Sequence, residues 1–281
     1  MASDIRHLFE LKPPMPNPLP TCRQFAQWLA GCVNHRYIHL PIRNRPRKCE
    51  RPLMFGKLFA WLKSVENALD HALGRDISTD KARRRARWHF HLLDHGILRT
   101  LWTNLFEIAP GVWRSNQPSQ DRLKKYKAMG IRTVLNLRGV TDRSPYLFEE
   151  EACRELGMTM VNHRLSARKL ASKSELLSLL KTFETIKKPF VMHCKSGADR
   201  AGLAAALYLL HIEGTSIEEA KKQLSFRYIH IRRSKTGVLD HMIDTYAADN
   251  LTEPMSIKDW ITKRYSRNKL QHKFDAGRRR P

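Results

Sequence analysis

The chain has 281 residues, of which 51 are Lys or Arg and 27 are Asp or Glu, so its formal net charge is +24. With 42% hydrophobic residues, it is not a wholly disordered polar chain, and its length suits one domain with a sizeable extension or two small domains. The excess positive charge attracts nucleic acid, anionic lipid headgroups or phosphorylated substrates alike, and it says nothing about the fold.

Targeting and redox signals are weak. The longest apolar run, Gly202–Ile212, is too short to span a membrane, and the first ten residues lack a secretory apolar core, so we expect a soluble or peripheral cytoplasmic protein. The cysteines are odd in number and contain no C-x-x-C pair, which predicts reduced thiols, and their spacing fits no zinc pattern. We therefore expect no metal and no cofactor. The five cysteines are Cys22, Cys32, Cys49, Cys153 and Cys194.

The N-terminal part is rich in bases and prolines. Residues 1–50 predict a poorly ordered arm, and 51–104 a helical extension. Within it, Leu53–Leu73 has the apolar spacing of an amphipathic helix, which either packs on the rest of the chain or lies on a membrane surface. The basic clusters Arg43–Lys57 and Lys81–Arg87 stand on either side of this helix.

From Trp113 onward, short β-type runs alternate with helical patterns. This alternation predicts an α/β domain over 105–250, with a mostly parallel central sheet flanked by helices, followed by a basic helix or tail over 251–281. The predicted strands are Val112–Ser115, Thr133–Leu137, Thr159–Asn162 and Phe190–His193. The predicted helices are Asp121–Met129, Pro145–Leu156, Ser172–Ile186, Ala201–Glu213, Ser216–Leu224 and Val238–Ala248.

The most informative segment is Pro189–Leu210, PFVMHCKSGADRAGLAAALYLL. Its apolar run ends in His193-Cys194, and a helical pattern begins at Ala201, so a strand, a tight loop and a helix N-terminus follow one another. Backbone N–H groups of such a loop and the positive end of the helix bind a phosphoryl group and stabilise a thiolate below the free pKa of ~8.5. Cys194 is therefore a candidate nucleophile.

The rest of the loop fits this interpretation. Arg200 is an anion ligand at the far end, Gly197 permits the turn, and Gly202 allows close packing below it. A Cys-x5-Arg spacing by itself is weak evidence for such a loop in an Arg-rich chain. However, Cys194 alone among the cysteines has an Arg at that spacing. The candidate phosphate-binding residues of the loop are His193, Lys195, Ser196, Gly197 and Ala198.

His193, Cys194 and Arg200 match the H-C-x5-R signature, and the chain resembles the cysteine-dependent phosphatases, most of all the atypical dual-specificity phosphatases of bacteria. The resemblance extends to the entry segment Gly111–Gly139 and covers about 105–248. It implies the cysteine-phosphatase fold and attack of the Cys194 thiolate on phosphorus. Water then hydrolyses the cysteinyl-phosphate, Arg200 binds the phosphoryl oxygens, and no metal takes part.

Two positions depart from the family pattern. Ala201 stands where the family commonly has a Ser or Thr that assists the second step, so turnover is expected to be slow. The usual acid loop, here Val161–Ser172, contains no carboxylate. Asp199 is the candidate general acid, with a salt bridge to Arg200 as its alternative role, and Asp142 is the second candidate for the acid.

The expected pocket is strongly basic. Lys195 follows the nucleophile, Arg138 ends a predicted strand, and Arg164, Arg168 and Lys169 lie in the covering loop. We expect substrates with more than one negative group, either phosphorylated proteins or phospholipids, and possible contact with an anionic membrane. The alternative is a catalytically weak adaptor that binds phosphate or anionic surfaces. Nucleic acid is not expected, since no basic sheet with interleaved aromatic residues supports it.

Overall fold

A computed structural model describes residues 74–94, 99 and 102–279, all of which belong to one compact unit. The predicted arm over 1–50, the predicted helix Leu53–Leu73 and the basic cluster Arg43–Lys57 lie outside the described residues. The fold below is that of the described part.

Five described strands form one sheet, in the order β1-β2-β5-β3-β4. The strands β2, β5, β3 and β4 are parallel, and β1 pairs with β2 in the antiparallel direction. The mostly parallel sheet is thus confirmed, with an edge strand that the sequence did not predict. The strands are β1 (Phe106–Ala109), β2 (Val112–Asn116), β3 (Thr133–Asn136), β4 (Thr159–Asn162) and β5 (Phe190–Cys194).

Helices cover the sheet, and all six predicted helices are present with shifted bounds. The largest difference is at the end of α7, which extends to Thr252 rather than Ala248. The helices are α1 (Asp80–Trp88), α2 (Gln120–Ala128), α3 (Ser144–Glu155), α4 (Lys173–Thr185), α5 (Asp199–His211), α6 (Ile217–Lys221), α7 (Val238–Thr252), α8 (Ile257–Lys263) and α9 (Arg267–Arg279).

Strand β5 and helix α5 form the centre of the core. Every residue of β5 is buried, because β2 and β3 pair with its two edges and helices cover both faces of the sheet. Helix α5 is rich in Ala and Leu and is buried from Ala201 to Leu209, so it packs closely on the sheet. The loop between them is therefore held from both ends by the most buried elements of the domain.

The C-terminal segment is part of this core, whereas the sequence predicted a helix or tail after the domain. Trp260 is 1% exposed, and its indole Nε1 donates to Asp249 Oδ2 at 2.6 Å. The Tyr265 hydroxyl donates to the Ala171 carbonyl at 2.6 Å. The many bases of 251–281 concealed these apolar positions, which lie on the inner face of α8 and in the turn to α9.

Helix α1 also packs on the domain, although the sequence placed it in an extension. The Arg83 guanidinium donates to both carboxylate oxygens of Glu151 in α3, at 3.0 and 2.5 Å. The π-helical turn His89–Leu93 follows, and His89 Nδ1 lies 2.7 Å from the Ser144 hydroxyl in a buried contact. These contacts bring Asp94 to the edge of the sheet where β5 ends.

Candidate active site

The predicted phosphate loop forms between β5 and α5. Strand β5 ends at Cys194 and helix α5 begins at Asp199, so residues 195–198 turn at the carboxyl edge of the parallel sheet. Cys194 is 1% exposed and its thiol is free. The nucleophile candidate therefore lies at the bottom of the loop, at the N-terminal end of a buried helix.

Gly197 lets this loop approach β2. Its φ is +74°, and a Cβ there would lie 2.7 Å from the Asn116 amide nitrogen, so no other residue fits without a shift of backbone. The loop is fixed further by the Gln117 amide, which donates to the Lys195 carbonyl at 3.3 Å. The Ala198 amide donates to the Ser196 hydroxyl at 3.3 Å.

Arg114, on β2, supports the loop from below. Its Nη2 donates to the carbonyls of Gly197 and Ala198 at 2.6 and 3.2 Å. Its Nη1 donates to the carbonyl and the side-chain oxygen of Gln223, both at 2.8 Å, and its guanidinium lies 3.7 Å from the centre of the Tyr228 ring. Burial lowers the pKa of Arg114 to about 10, while the nearby Tyr228, Cys194 and Asp199 act in the opposite direction.

Asn104 joins the loop to a distant segment. Its side-chain amide donates to the Ser196 carbonyl at 3.2 Å and to the Tyr228 carbonyl at 2.9 Å. Loop carbonyls are thus bound by side chains on the outside of the turn. In phosphate-binding turns, the backbone amides of the loop are the groups that bind the anion.

Arg200 is the unsatisfied cation of the site. Its guanidinium makes no hydrogen bond or ion pair among the described residues, and its Nε is buried without a partner. Charged groups removed from water are normally paired, so an arginine without an internal partner at this position is suited to bind an anion. The residue after it, Ala201, is fully buried and offers no hydroxyl.

Asp199 is paired with a histidine and not with Arg200. Its Oδ1 lies 2.7 Å from His230 Nδ1, and His230 Nε2 lies 2.6 Å from Asp240 Oδ2. Burial alone lowers the pKa of His230, but the hydrogen bonds to Asp199 and Asp240 outweigh it and raise the pKa to about 9. The imidazole is thus cationic at neutral pH, and the predicted Asp199–Arg200 salt bridge does not form.

A second carboxylate, Asp94, binds two of the predicted substrate-binding bases. Its oxygens lie 3.1 Å from Arg138 Nη2 and 3.2 Å from Lys195 Nζ, and its third partner is Arg99 at 2.7 Å. Burial acts to raise the pKa of Asp94, but Arg138, Arg99 and Lys195 together hold it well below its usual range. Arg138 and Lys195 are therefore partly neutralised from within the chain.

His193 faces a carboxylate behind the loop. Its Nε2 lies 2.6 Å from Glu149 Oε1, and both side chains are fully buried. The other oxygen of Glu149 accepts from Gln117 Nε2 at 2.6 Å, while Gln117 Oε1 accepts from Arg138 at 2.9 Å. A hydrogen-bonded network thus runs from Glu149 through Gln117 to Arg138, and His193 lies beside its buried end.

Two predicted residues lie apart from this cluster. Arg168 is exposed on the loop after β4, where it lines a surface pocket with α9. Asp142, the second acid candidate, forms an exposed ion pair with Arg75 at 3.1 Å. Neither side chain forms a hydrogen bond or ion pair with the phosphate loop.

Sequence reasoning missed four residues that hold the site: Asp94, Asn104, Arg114 and His230. Arg114 falls in the segment Gly111–Gly139 that carried the resemblance, but its type alone did not separate it from the many other arginines. The remaining three lie outside every motif.

The described residues contain no cluster of three or more His, Cys, Asp or Glu suited to a metal ion. In the described part of the chain, no helix has the length and hydropathy needed to cross a bilayer.

A buried cysteine below a strand–loop–helix turn, with an arginine at the far end, is the arrangement expected of a cysteine-dependent phosphatase domain. Residues 107–236 match the family model described as PTP-SAK, a Swiss Army Knife protein, DSP-PTPase phosphatase domain. The matched segment, a little under half of the chain, is thus similar to the DSP-PTPase phosphatase domain.

Known proteins resemble the same region. Over 123 residues the chain is 25% identical to the dual specificity protein phosphatase TpbA of Pseudomonas aeruginosa, which covers 43% of this chain and 53% of TpbA. The chain thus spans about half the length of the curated relatives it matches. The crystal structure of P. aeruginosa TpbA has 20% identity and a TM-score of 0.44, covering 53% of this chain and 88% of that one. The core catalytic domain of the PP-IP phosphatase SIW14 from S. cerevisiae, in complex with citrate, has 16% identity and a TM-score of 0.41, covering 54% and 96%.

Proposed function

We propose that this protein is a phosphatase that hydrolyses phosphomonoesters through a cysteinyl-phosphate. The observation that carries the proposal is the open guanidinium of Arg200, placed at the end of a loop that begins at the buried thiol of Cys194. A planar guanidinium matches two phosphoryl oxygens, and the loop amides supply further donors. Because the site is buried and excludes water, these donors interact more strongly with a bound anion than they would in solvent.

The reaction has two steps. The Cys194 thiolate attacks phosphorus, the S–P bond forms, and the bond to the leaving oxygen breaks as that oxygen takes up a proton. Water then attacks the cysteinyl-phosphate, loses a proton, and releases phosphate and the thiolate. Arg200 binds two phosphoryl oxygens in both steps, and Arg114 keeps the loop in shape from behind.

Asp199 is our candidate for the proton transfers. It is the first residue of α5, its side chain is 20% exposed, and its Oδ2 has no hydrogen-bond partner among the described residues. Asp199→Asn should lower the rate chiefly for poor leaving groups, because p-nitrophenolate needs little protonation and phenolate needs more. Equal losses on both substrates would contradict the acid role.

The substrate class is best described as multiply anionic. A pocket of about 750 Å³ lies between the loop after β4 and α9, and five cations line it against one carboxylate, Asp275. None of these cations forms an ion pair among the described residues, so their charge is available to an anionic group at the surface of the domain. The five are Arg168, Lys169, Lys235, Arg267 and Arg278.

Phosphorylated proteins and phosphorylated lipids both satisfy this requirement. TpbA is a dual specificity protein phosphatase, and one crystal structure shows a Cys-to-Ser variant of TpbA in complex with pTyr. Helix α1 supports contact with an anionic surface, since Lys81, Arg84, Arg85 and Arg87 are exposed and Trp88 is 66% exposed beside them. Salt-sensitive sedimentation with acidic vesicles, and none with neutral vesicles, would support the lipid surface. Failure to bind acidic vesicles at low salt would exclude it.

The second candidate is a catalytically weak adaptor, favoured by Ala201 and by the loop after β4, which lacks a carboxylate. Hydrolysis of p-nitrophenyl phosphate separates the two. We expect turnover by the natural chain and none by Cys194→Ser, whose hydroxyl is a poor nucleophile, or by Arg200→Lys, whose ammonium cannot replace the planar fork. If the natural chain gives no turnover, or either variant keeps its rate, the cysteinyl-phosphate mechanism is wrong. If the natural chain does turn over, the substrate can be identified by comparing its rates on a panel of phosphotyrosyl peptide, phosphoinositide, phosphatidylglycerophosphate and lipid A phosphates.

A further inference from the structure

A buried histidine connects the phosphate loop to α7. His230 is 2% exposed, and its two ring nitrogens lie 2.7 Å from Asp199 Oδ1 and 2.6 Å from Asp240 Oδ2. Asp199 lies at the start of α5, and Asp240 lies in the first turn of α7. One imidazole thus spans two carboxylates that belong to different helices.

The segment that carries His230 is held firmly against the loop. Asn104 donates to both the Ser196 and the Tyr228 carbonyls, and Arg114 stacks on the Tyr228 ring. Ile229 has a φ of +61°, which is unfavourable for a β-branched residue. Such strain persists only where the surroundings fix the backbone, and it is common at functional sites.

We propose that His230 is a positioning residue for Asp199, an inference that rests on the proposed function. His230 Nδ1–H donates to Oδ1 and fixes the plane of the carboxyl group, which leaves Oδ2 for the reacting oxygen. Asp240 accepts from Nε2–H and thereby keeps Nδ1 turned toward Asp199. The two bonds replace the support that an acid loop gives its aspartate.

The proton balance of this role is simple. In the first step, the proton on Asp199 Oδ2 passes to the leaving oxygen while the S–P bond forms and the P–O bond breaks. In the second step, the attacking water gives its proton back to Oδ2 while the P–O bond forms and the S–P bond breaks. The bond to His230 uses the other oxygen, so it persists throughout and keeps the group in place.

Two substitutions of His230 separate the two bonds. The amide of Asn lies where Nδ1 lies, so His230→Asn keeps a donor for Asp199 and loses the contact with Asp240. The longer Gln places its amide near Nε2, so His230→Gln keeps the contact with Asp240 and loses the donor for Asp199. Both variants lose the positive charge and have similar polarity, which makes them a matched pair.

The measurement is kcat on p-nitrophenyl phosphate and on phenyl phosphate, with Asp199→Asn as the reference. For His230→Gln we expect a loss on phenyl phosphate of roughly 10- to 100-fold, toward that of Asp199→Asn, and a loss of less than about 3-fold on p-nitrophenyl phosphate. His230→Asn should lose less than about 3-fold on both. A purely structural histidine would lower both rates equally in both variants, and that result would overturn the proposal.

The controls separate this test from the proposed function. If Cys194→Ser is inactive and the natural chain turns over, the phosphatase mechanism stands whatever the histidine variants show. If the kcat values of His230→Gln and His230→Asn then depend on the leaving group in the same way, the positioning role of His230 is wrong and the phosphatase mechanism is unaffected. Thermal melting of both variants checks that a rate loss is not a loss of folded protein.

Discussion

Replacing Arg114 with Met should loosen the phosphate loop without leaving a cavity where the Arg114 side chain packs. The guanidinium makes four hydrogen bonds at 2.6 to 3.2 Å, to the carbonyls of Gly197, Ala198 and Gln223 and to the Gln223 side chain. Met fills a similar volume but offers no donor, so three backbone carbonyls lose a partner.

The magnitude follows from two opposing contributions. Hydrogen bonds from a charged donor contribute about 1.5–3 kcal/mol each. Burial lowers the pKa of Arg114 to about 10, which corresponds to a cost of about 3 kcal/mol for its charged form that the Met variant no longer bears. At the lower value, the four hydrogen bonds together contribute about 6 kcal/mol. Subtracting the cost of about 3 kcal/mol for the buried charge leaves a net loss of about 3 kcal/mol in the free energy of unfolding of the Met variant.

Catalysis should suffer more than stability. The carbonyls that Arg114 binds belong to the turn that aligns the loop amides, and a displacement of about 1 Å at a reacting centre costs roughly 100-fold. We expect a fall of about that size in kcat/KM for p-nitrophenyl phosphate, under conditions where the variant is fully folded.

Urea unfolding followed by tryptophan fluorescence gives the stability, and steady-state kinetics give the activity. Arg132→Met is the matched control, because Arg132 directly precedes β3, its side chain is exposed, and it makes no ion pair among the described residues. If Arg114→Met unfolds within about 1 kcal/mol of this control and keeps its kcat/KM, then Arg114 does not support the loop.

Three further outcomes are expected. Gly197→Ala should lower stability by at least about 1–2 kcal/mol in urea unfolding, since φ is +74° and its Cβ would meet β2; an unchanged midpoint would refute this. Asp94→Asn should tighten inhibition by inorganic phosphate several-fold, because it frees Lys195 and Arg138; weaker inhibition would contradict it. The pKa of His230 is raised to about 9, so its contribution of about 3 kcal/mol is fully present below pH ~6.5 and is lost as pH rises through 9. Unfolding of the natural chain and of His230→Asn at pH 7 and 10 should show this loss in the natural chain alone.

Local sequence patterns were enough to predict the phosphate loop and the candidate residues in it. His193, Cys194, Gly197 and Arg200 lie within eight consecutive residues, between an apolar strand and a helical pattern. Neighbours along the chain are neighbours in space, so local patterning and the chemistry of each residue type were sufficient. The same local signals predicted the four parallel strands and six of the nine α-helices in the described part of the chain, with errors at the ends of these elements.

The groups that support and neutralise the loop became visible only in the folded chain. Asp94, Asn104, Arg114 and His230 come from four separate parts of the chain, and each is a common polar residue outside any motif of its own. Their roles arise from packing, which brings them within hydrogen-bond distance of one turn. Pairwise contacts of this kind leave no periodic trace in the sequence, since they constrain one residue at a time.

The C-terminal segment illustrates the same limit. Its charge suggested a basic helix or tail outside the domain, but Ile257, Trp260, Ile261 and Tyr265 are buried, and the bases around them face solvent. Average composition counts every residue, whereas burial depends on which face of a short helix meets the core. The sequence therefore predicted the chemistry of the loop, and the packing of distant segments determined which of the charges around it are paired.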